Sequence, residues 1–134
     1  MTKESGLGAT VSVDNASDAL KDISNDVTDF TISTPRAEQN TTGVDKSASE
    51  RLQLLADGAF TINGVFNDDT NKSHVVFKTI PSTSVVRTVT IAISGQTLSM
   101  EMILSDYALT RSTSGELTWS VSCALADGAV PTWS

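Results

Sequence analysis

"ELTWSVSCALADG", Glu116 to Gly128, is the stretch that decides the fold. Trp119, Val121, Cys123 and Leu125 alternate strictly with Ser120, Ser122 and Ala124. A period of two sends the large apolar side chains to one face of a strand and the small ones to the other. Asp127-Gly128 then supplies a turn signal. The segment reads as a half-buried strand with one face in a core.

The same period recurs through most of the chain. "QTLSMEMILSDYAL" places Met100, Met102 and Leu104 on one face, and "VVRTVTIAIS" is strongly β-branched. "DFTIS" alternates Phe30 and Ile32 against Asp29, Thr31 and Ser33. Pro35 ends that strand because it cannot donate to a ladder. In "DGAFTINGVF", Phe60, Ile62 and Phe66 share a face, with Thr61, Asn63 and Val65 opposite. Gly64 falls in register with the buried face, which predicts a bulge or a close backbone approach. Val11 and Val13 alternate before a turn at Asp14-Asn15. Arg51–Leu55 fits either a strand or a helical turn.

One segment changes period. Ser73, Val76, Phe77 and Ile80 lie at helical spacing, which predicts a helix from about Thr70 to Thr79. Asp69 or Thr70 would cap it and Pro81 would stop it. So short a helix is unstable alone and must dock on a sheet. The sum is six to eight strands and one helix: a mainly β domain, a β-sandwich or partial barrel with one flanking α-helix.

Composition agrees. The chain has 134 residues, 39% hydrophobic and only 5% aromatic, which suits one domain with a largely aliphatic core. Ser and Thr number 36, a bias toward strands and turns. The net charge of −7 excludes binding nucleic acid by neutralising phosphates and argues against anionic membranes. The lone Cys123 rules out an intramolecular disulfide and reads as a buried thiol. "MTKESGLGAT" has no apolar core of a signal peptide, and no apolar run approaches a membrane span. The expectation is a protein made in the cytoplasm and soluble until it assembles.

Catalytic chemistry finds little footing. The one histidine, His74, sits on the expected helix with no carboxylate singled out to orient it. One His and one Cys far apart are not a zinc site, and no phosphate-binding glycine motif occurs. "NDDTN", Asn67 to Asn71, is rich in oxygen ligands but lacks the spacing and closing Glu of a calcium loop. No enzyme activity, cofactor or metal is expected. A β domain without a site acts through its surfaces and must manage its edge strands.

Between two well-patterned strands lies "TPRAEQNTTGVDKSASERL", Thr34 to Leu52. Its first seventeen residues hold one large apolar side chain, Val44. Loops this long in compact domains are functional or disordered. The surrounding run, Asp22 to Asp68, resembles the N-terminal half of major tail tube proteins of long-tailed bacteriophages, closest to those of actinobacterial phages. "SGELTWSVSCALADGAVPTWS" resembles their last strand and terminus. The shared order is strand, long loop, an "ERL…DG…NG.F" strand, one helix and three or four further strands, over about Asp22 to Trp133.

The resemblance implies a single tail tube domain over 1–134. Residues 1–20 form an N-terminal arm or strand, 34–50 a long inter-ring loop and 127–134 an extended C-terminal tail. It implies hexameric rings, each subunit giving strands to an inner barrel, stacked into a tube whose lumen conducts viral DNA without binding it specifically. The implied partners are further copies of the chain and the tail terminator, tape measure and distal tail proteins. The implied location is the virion tail, assembled in the host cytoplasm. Arg36, Glu38, Asp45, Lys46, Glu50 and Arg51 are the expected inter-ring residues, pairing charges between rings. Asp29, Thr31, Ser33, Thr61 and Asn63 are the expected lumen-facing residues, on the two strands that flank the loop. The loop from Arg36 to Lys46 is expected to be disordered in a free subunit and ordered in the tube. Two other readings use the same fold class: a binding module such as a capsid decoration or receptor-binding protein, and the inner tube of a contractile bacteriocin-like particle.

Overall fold

The computed structural model describes residues 3–134; Met1 and Thr2, the first residues of the expected N-terminal arm, lie outside them. The strands are β1 (Thr10–Asp14), β2 (Leu20–Asp22), β3 (Val27–Ser33), β4 (Arg36–Asn40), β5 (Arg51–Ala56), β6 (Ala59–Val65), β7 (Arg87–Ile93), β8 (Gln96–Arg111) and β9 (Leu117–Leu125). A 3-10 turn covers Ser24–Asp26, and one helix, α1, covers Ser73–Phe77.

Seven strands form one antiparallel sheet in the order β2-β1-β7-β8-β9-β6-β3, and β4 and β5 form a second sheet of two. The large sheet folds over on itself because β8 belongs to both halves. Its first part, Gln96 to Met102, pairs with β7, and its second, Met102 to Arg111, pairs with β9. Where the partner changes, Ser105 is an extra residue between Leu104 and Asp106, a bulge of the kind that bends a strand. Val11, Val13, Val89 and Ile91 from one half then meet Phe60, Ile62, Trp119 and Val121 from the other in a single core. Burying these aliphatic and aromatic side chains is the main favourable term, roughly 1.5–3 kcal/mol for each large one.

The alternation read from the sequence is borne out strand by strand. Met100, Met102, Trp119, Val121 and Cys123 are buried while Ser122 and Ala124 are exposed. Gly64 is a close approach: a Cβ there would lie 2.2 Å from the Asp26 carbonyl oxygen and 2.5 Å from Trp119 Cζ2. The Trp119 indole N–H reaches over it to donate to the Val65 carbonyl at 2.7 Å. Cys123 is buried, and burial pushes its thiol up to about 12.

Two expectations need correction. The helix is shorter than Thr70–Thr79, and its cap is Lys72 with no side-chain cap bond. The Ser73 N–H instead donates to Asp26 Oδ2 at 3.0 Å, and Asp26 Oδ1 accepts from Asn67 Nδ2 at 2.9 Å. A carboxylate from 47 residues away replaces the local cap, so neither Asp69 nor Thr70 is needed. The stripe itself holds: Ser73, Val76 and Phe77 are buried and Ile80 packs on the core. The buried Arg87 ties the helix down by donating to the Val76 and Asp14 carbonyls at 2.6 and 3.3 Å.

The polar stretch read as a loop to Glu50 is in good part strand. Arg36–Asn40 pairs antiparallel with Arg51–Ala56, so the connecting tip is only 41–50. Segment Arg51–Leu55, ambiguous by pattern, is strand because β4 supplies its ladder. Composition hid β4, since an exposed two-stranded ribbon needs no apolar alternation.

Candidate functional site

Residues Asp29, Thr31 and Ser33 on β3 stand directly opposite Asn63, Thr61 and Ala59 on β6. Asn63 Nδ2 donates to Asp29 Oδ1 at 2.6 Å, which fixes one cross-strand pair. The five residues singled out by pattern therefore lie together on one outer face. The register carries that face further. Thr61 is opposite Ser122 and Asn63 is opposite Ser120 on β9, which in turn oppose Asp106 and Ala108 on β8. The result is a four-stranded face, β8-β9-β6-β3, crossed by rows such as Thr31-Thr61-Ser122-Asp106 and Asp29-Asn63-Ser120-Ala108.

All these side chains are short. Most are exposed, with Asn63 and Ser120 half-buried. The rows carry carboxylates at their outer strands, Asp29 and Asp106, and no Lys or Arg. Pattern reading missed Ser120, Ser122, Asp106, Ala108 and Thr110. The signal was present in the alternation of β9, but which strand pairs with β6 is not a local property.

This four-stranded face has two unpaired borders. β3 pairs only with β6, and the β8 segment beyond its β7 pairing, Ile103–Arg111, pairs only with β9. Among the described residues no strand pairs with the β3 border, Val27–Ser33, although residues 6–9 line a cavity with Val27–Phe30. Exposed backbone borders of that length invite another strand.

The β4–β5 hairpin leaves the end of this sheet at Ser33 and Ala59. Arg36 Nε and Nη2 donate to the Leu54 carbonyl at 3.0 and 2.8 Å, and the Asp57 N–H donates to the Pro35 carbonyl at 2.9 Å. Arg51 pairs with Glu38 and Lys46 with its neighbour Asp45, each at 3.8 Å. The Thr41 N–H donates to the Glu50 carbonyl at 2.9 Å and closes the tip. Of the charged residues expected to reach another ring, Arg36, Glu38, Asp45, Lys46 and Arg51 are thus engaged within the hairpin. Its apolar side chains are not: Leu55 is 85% exposed, and Leu52 and Leu54 are exposed beside it. The pattern missed these three leucines because the segment's conformation was ambiguous.

Elsewhere the polar groups are structural. His74 Nδ1 lies 3.1 Å from the Tyr107 hydroxyl inside an aromatic group with Phe66, Phe77 and Trp119. Burial pushes the Tyr107 phenol up to about 12. Among the described residues no three His, Cys, Asp or Glu side chains gather as a metal set, and no helix is long and apolar enough to cross a membrane.

No family model matches the chain, and no curated protein matches it. Solved structures do. One is a chain in the tail of an empty gene transfer agent (GTA) particle, computed with helical refinement and C6 symmetry: TM-score 0.74, 14% identity, covering 98% of this chain and 99% of that one. A chain of the native GTA virion gives a TM-score of 0.78 at 14% identity, with coverage of 98% and 99%. A chain of the sixfold symmetrised baseplate of the anti-feeding prophage (AFP) gives 0.70 at 9% identity, covering 100% of this chain and 97% of that one. At such identities the likeness establishes the fold, a mainly β fold shared end to end with chains of tail particles.

Proposed function

We propose that the chain is a structural subunit of a tail tube rather than an enzyme, and that its four-stranded hydrophilic face lines the lumen. The observation that carries this is the combination on one sheet of two unpaired borders and a face whose central rows hold short side chains, mostly polar, with acids and no bases. A sheet of four antiparallel strands runs in opposite directions at its two borders. When copies are related by rotation about a common axis, β3 of one therefore meets β8 of the next antiparallel. Repetition closes a barrel, which removes every free edge. Six copies is the number favoured by the sixfold particles that contain similar chains.

The wall so formed suits a conduit for DNA. Short side chains keep the bore open, and carboxylates repel phosphates so that the polymer slides without binding. On this reading Asp29, Thr31, Ser33, Thr61 and Asn63 face the lumen, joined by Ser120, Ser122 and Asp106. Rings stack through the hairpin over 34–50, and the tube belongs to a phage-type virion assembled in the host cytoplasm, with DNA passing at ejection. Tail terminator, tape measure and distal tail proteins are the partners that a siphophage-type tail would add. A second reading, the inner tube of a contractile bacteriocin-like particle, draws on the similarity to the AFP baseplate chain. It shares the ring and differs in a surrounding sheath.

Electron microscopy of the purified full-length protein across a concentration series tests the reading. Rings and stacked tubes with a central channel are expected. A protein that stays monomeric or trimeric at every concentration, or that binds a ligand through the hairpin as a monomer, would overturn it.

A further inference from the structure

We infer that segment 127–134 is a guard strand. It occupies a third strand-pairing border of the sheet, Gln96–Glu101 of β8, and so confines pairing with other copies of the chain to β3 and to Ile103–Arg111. The inference rests on the ring-forming reading and adds to it what keeps the pairing of subunits on one track.

The third border arises because β8 changes partners. Over Gln96–Met102 one of its borders is taken by β7. The other is taken by β9 only from Met102, opposite Leu125, onward to Arg111. Gln96 to Glu101 would therefore present unpaired backbone on the side that β9 leaves. Leu98 and Met100, both buried, alternate there with Thr97, Ser99 and Glu101. A bare border flanked by core side chains is the kind of edge that recruits another chain.

The chain closes this border itself, with two clasps. At the first, the Ala126 N–H donates to the Glu101 carbonyl at 3.0 Å. At the second, Trp133 lies antiparallel opposite Leu98. Beside it the Thr97 N–H donates to the Ser134 carbonyl at 2.9 Å, and the Ser134 N–H to the Thr97 carbonyl at 2.8 Å. Between the clasps Gly128 turns the chain at φ 75° and the segment bows outward. The bow leaves a cavity of about 90 Å³ between Ser99, Met100 and Glu101 on one side and Val130 and Pro131 on the other.

Such a segment covers a border without offering a new one. Pro131 has no N–H to donate, and a bowed strand presents no straight ladder to a further strand. The cover adds little to the core: Val130 and Trp133 remain 62% and 45% exposed. By contrast, among the described residues no backbone hydrogen bond clasps the free borders of β3 or of Ile103–Arg111. The two borders that a rotation axis brings together are open, and the one that would join copies away from that axis is shut.

The test uses the full-length chain, with circular dichroism confirming that each variant is folded and with sedimentation and electron microscopy following assembly. Pro131→Gly with Trp133→Ser loosens the clasp at Thr97 and leaves both ring borders untouched. This double variant is expected to form branched or amorphous aggregates at a concentration about tenfold below that at which the parent assembles. Hydrogen exchange at the Thr97 amide is expected to be fast in its soluble form and slow in its aggregates. Adding Ser99→Lys places a charge on the bared border. That triple variant is expected to return the threshold to within about twofold of the parent's while Thr97 exchange stays fast, a rescue that mere loss of stability would not allow. Should the double variant fail to fold, Trp133→Ser alone carries the same comparison. Loosened variants that assemble like the parent would overturn the inference. So would aggregates in which the Thr97 amide exchanges freely, or a Ser99→Lys chain that aggregates as readily as the double variant. If the parent forms no rings, the ring-forming reading fails, and the difference in solubility still decides whether the segment guards its border.

Discussion

β6 and β5 are consecutive strands of one chain, and both belong to antiparallel pairs, yet their apolar residues meet opposite fates. On β6, Phe60 and Ile62 are buried against Trp119, Val121 and the far half of the sheet. On β5, Leu52, Leu54 and Leu55 face solvent. The sandwich meets its own needs: among the described residues no buried side-chain polar atom lacks a hydrogen bond. The hairpin is satisfied in its polar groups and unsatisfied in its apolar ones. Apolar pattern marks a face that wants covering. It does not say whether the cover is the same molecule or another.

The largest effect should come from the tightest point of the sandwich. Gly64→Ala would drive a methyl against the Asp26 carbonyl and the Trp119 ring, and should cost about 3 kcal/mol or more by urea denaturation. A variant as stable as the parent would show that the core is looser than β6 implies. Next comes Asp26→Ala, which strips the partners of Asn67 and Ser73 and leaves a buried N–H unpaired. A loss of about 2–3 kcal/mol is expected, with Asp26→Asn losing less because one acceptor survives.

Alkali should separate the two regions without any mutation. Cys123 and Tyr107, with ordinary values of 9.0 and 10.0, are both pushed up to about 12 by burial. The unfolded chain therefore ionises first. Their contribution is present in full below the ordinary values and is lost as pH rises through the folded ones. Melting temperatures should fall between about pH 9 and 12. Cys123→Ala should flatten the start of that fall, whereas a parent with no fall would break the account. The smallest effect is expected on the hairpin. Leu55→Ser in the unassembled subunit should shift stability by less than about 0.5 kcal/mol, because an exposed leucine has little burial to lose. A larger loss would mean that the leucine already has a cover within its own molecule.

Pattern reading recovered the strands around Phe30, Phe60, Met100 and Val121, the helical stripe from Ser73 to Phe77, and the crowding at Gly64. It underestimated the order in the polar stretch, because β4 is an exposed strand with no apolar face to reveal it. It grouped Asp29, Thr31, Ser33, Thr61 and Asn63 on one face and missed that the face continues onto β9 and β8. It assigned the hairpin's charges to another ring; within the chain Arg51 stands beside Glu38 and Lys46 beside Asp45.

What the sequence determined by itself was therefore local: side-chain period, strand faces, turns and the acidic balance. Each depends only on backbone geometry over a few residues and on composition. Tertiary structure alone decided that β8 bends from one half of the sheet to the other. It also set β9 between β8 and β6, brought Asp26 across 47 residues to cap the helix, and left the borders at β3 and β8 unpaired. Those are matters of which strands meet, and hydrogen-bonded pairing between distant segments is chosen by the fit of the whole core rather than by any one strand's pattern.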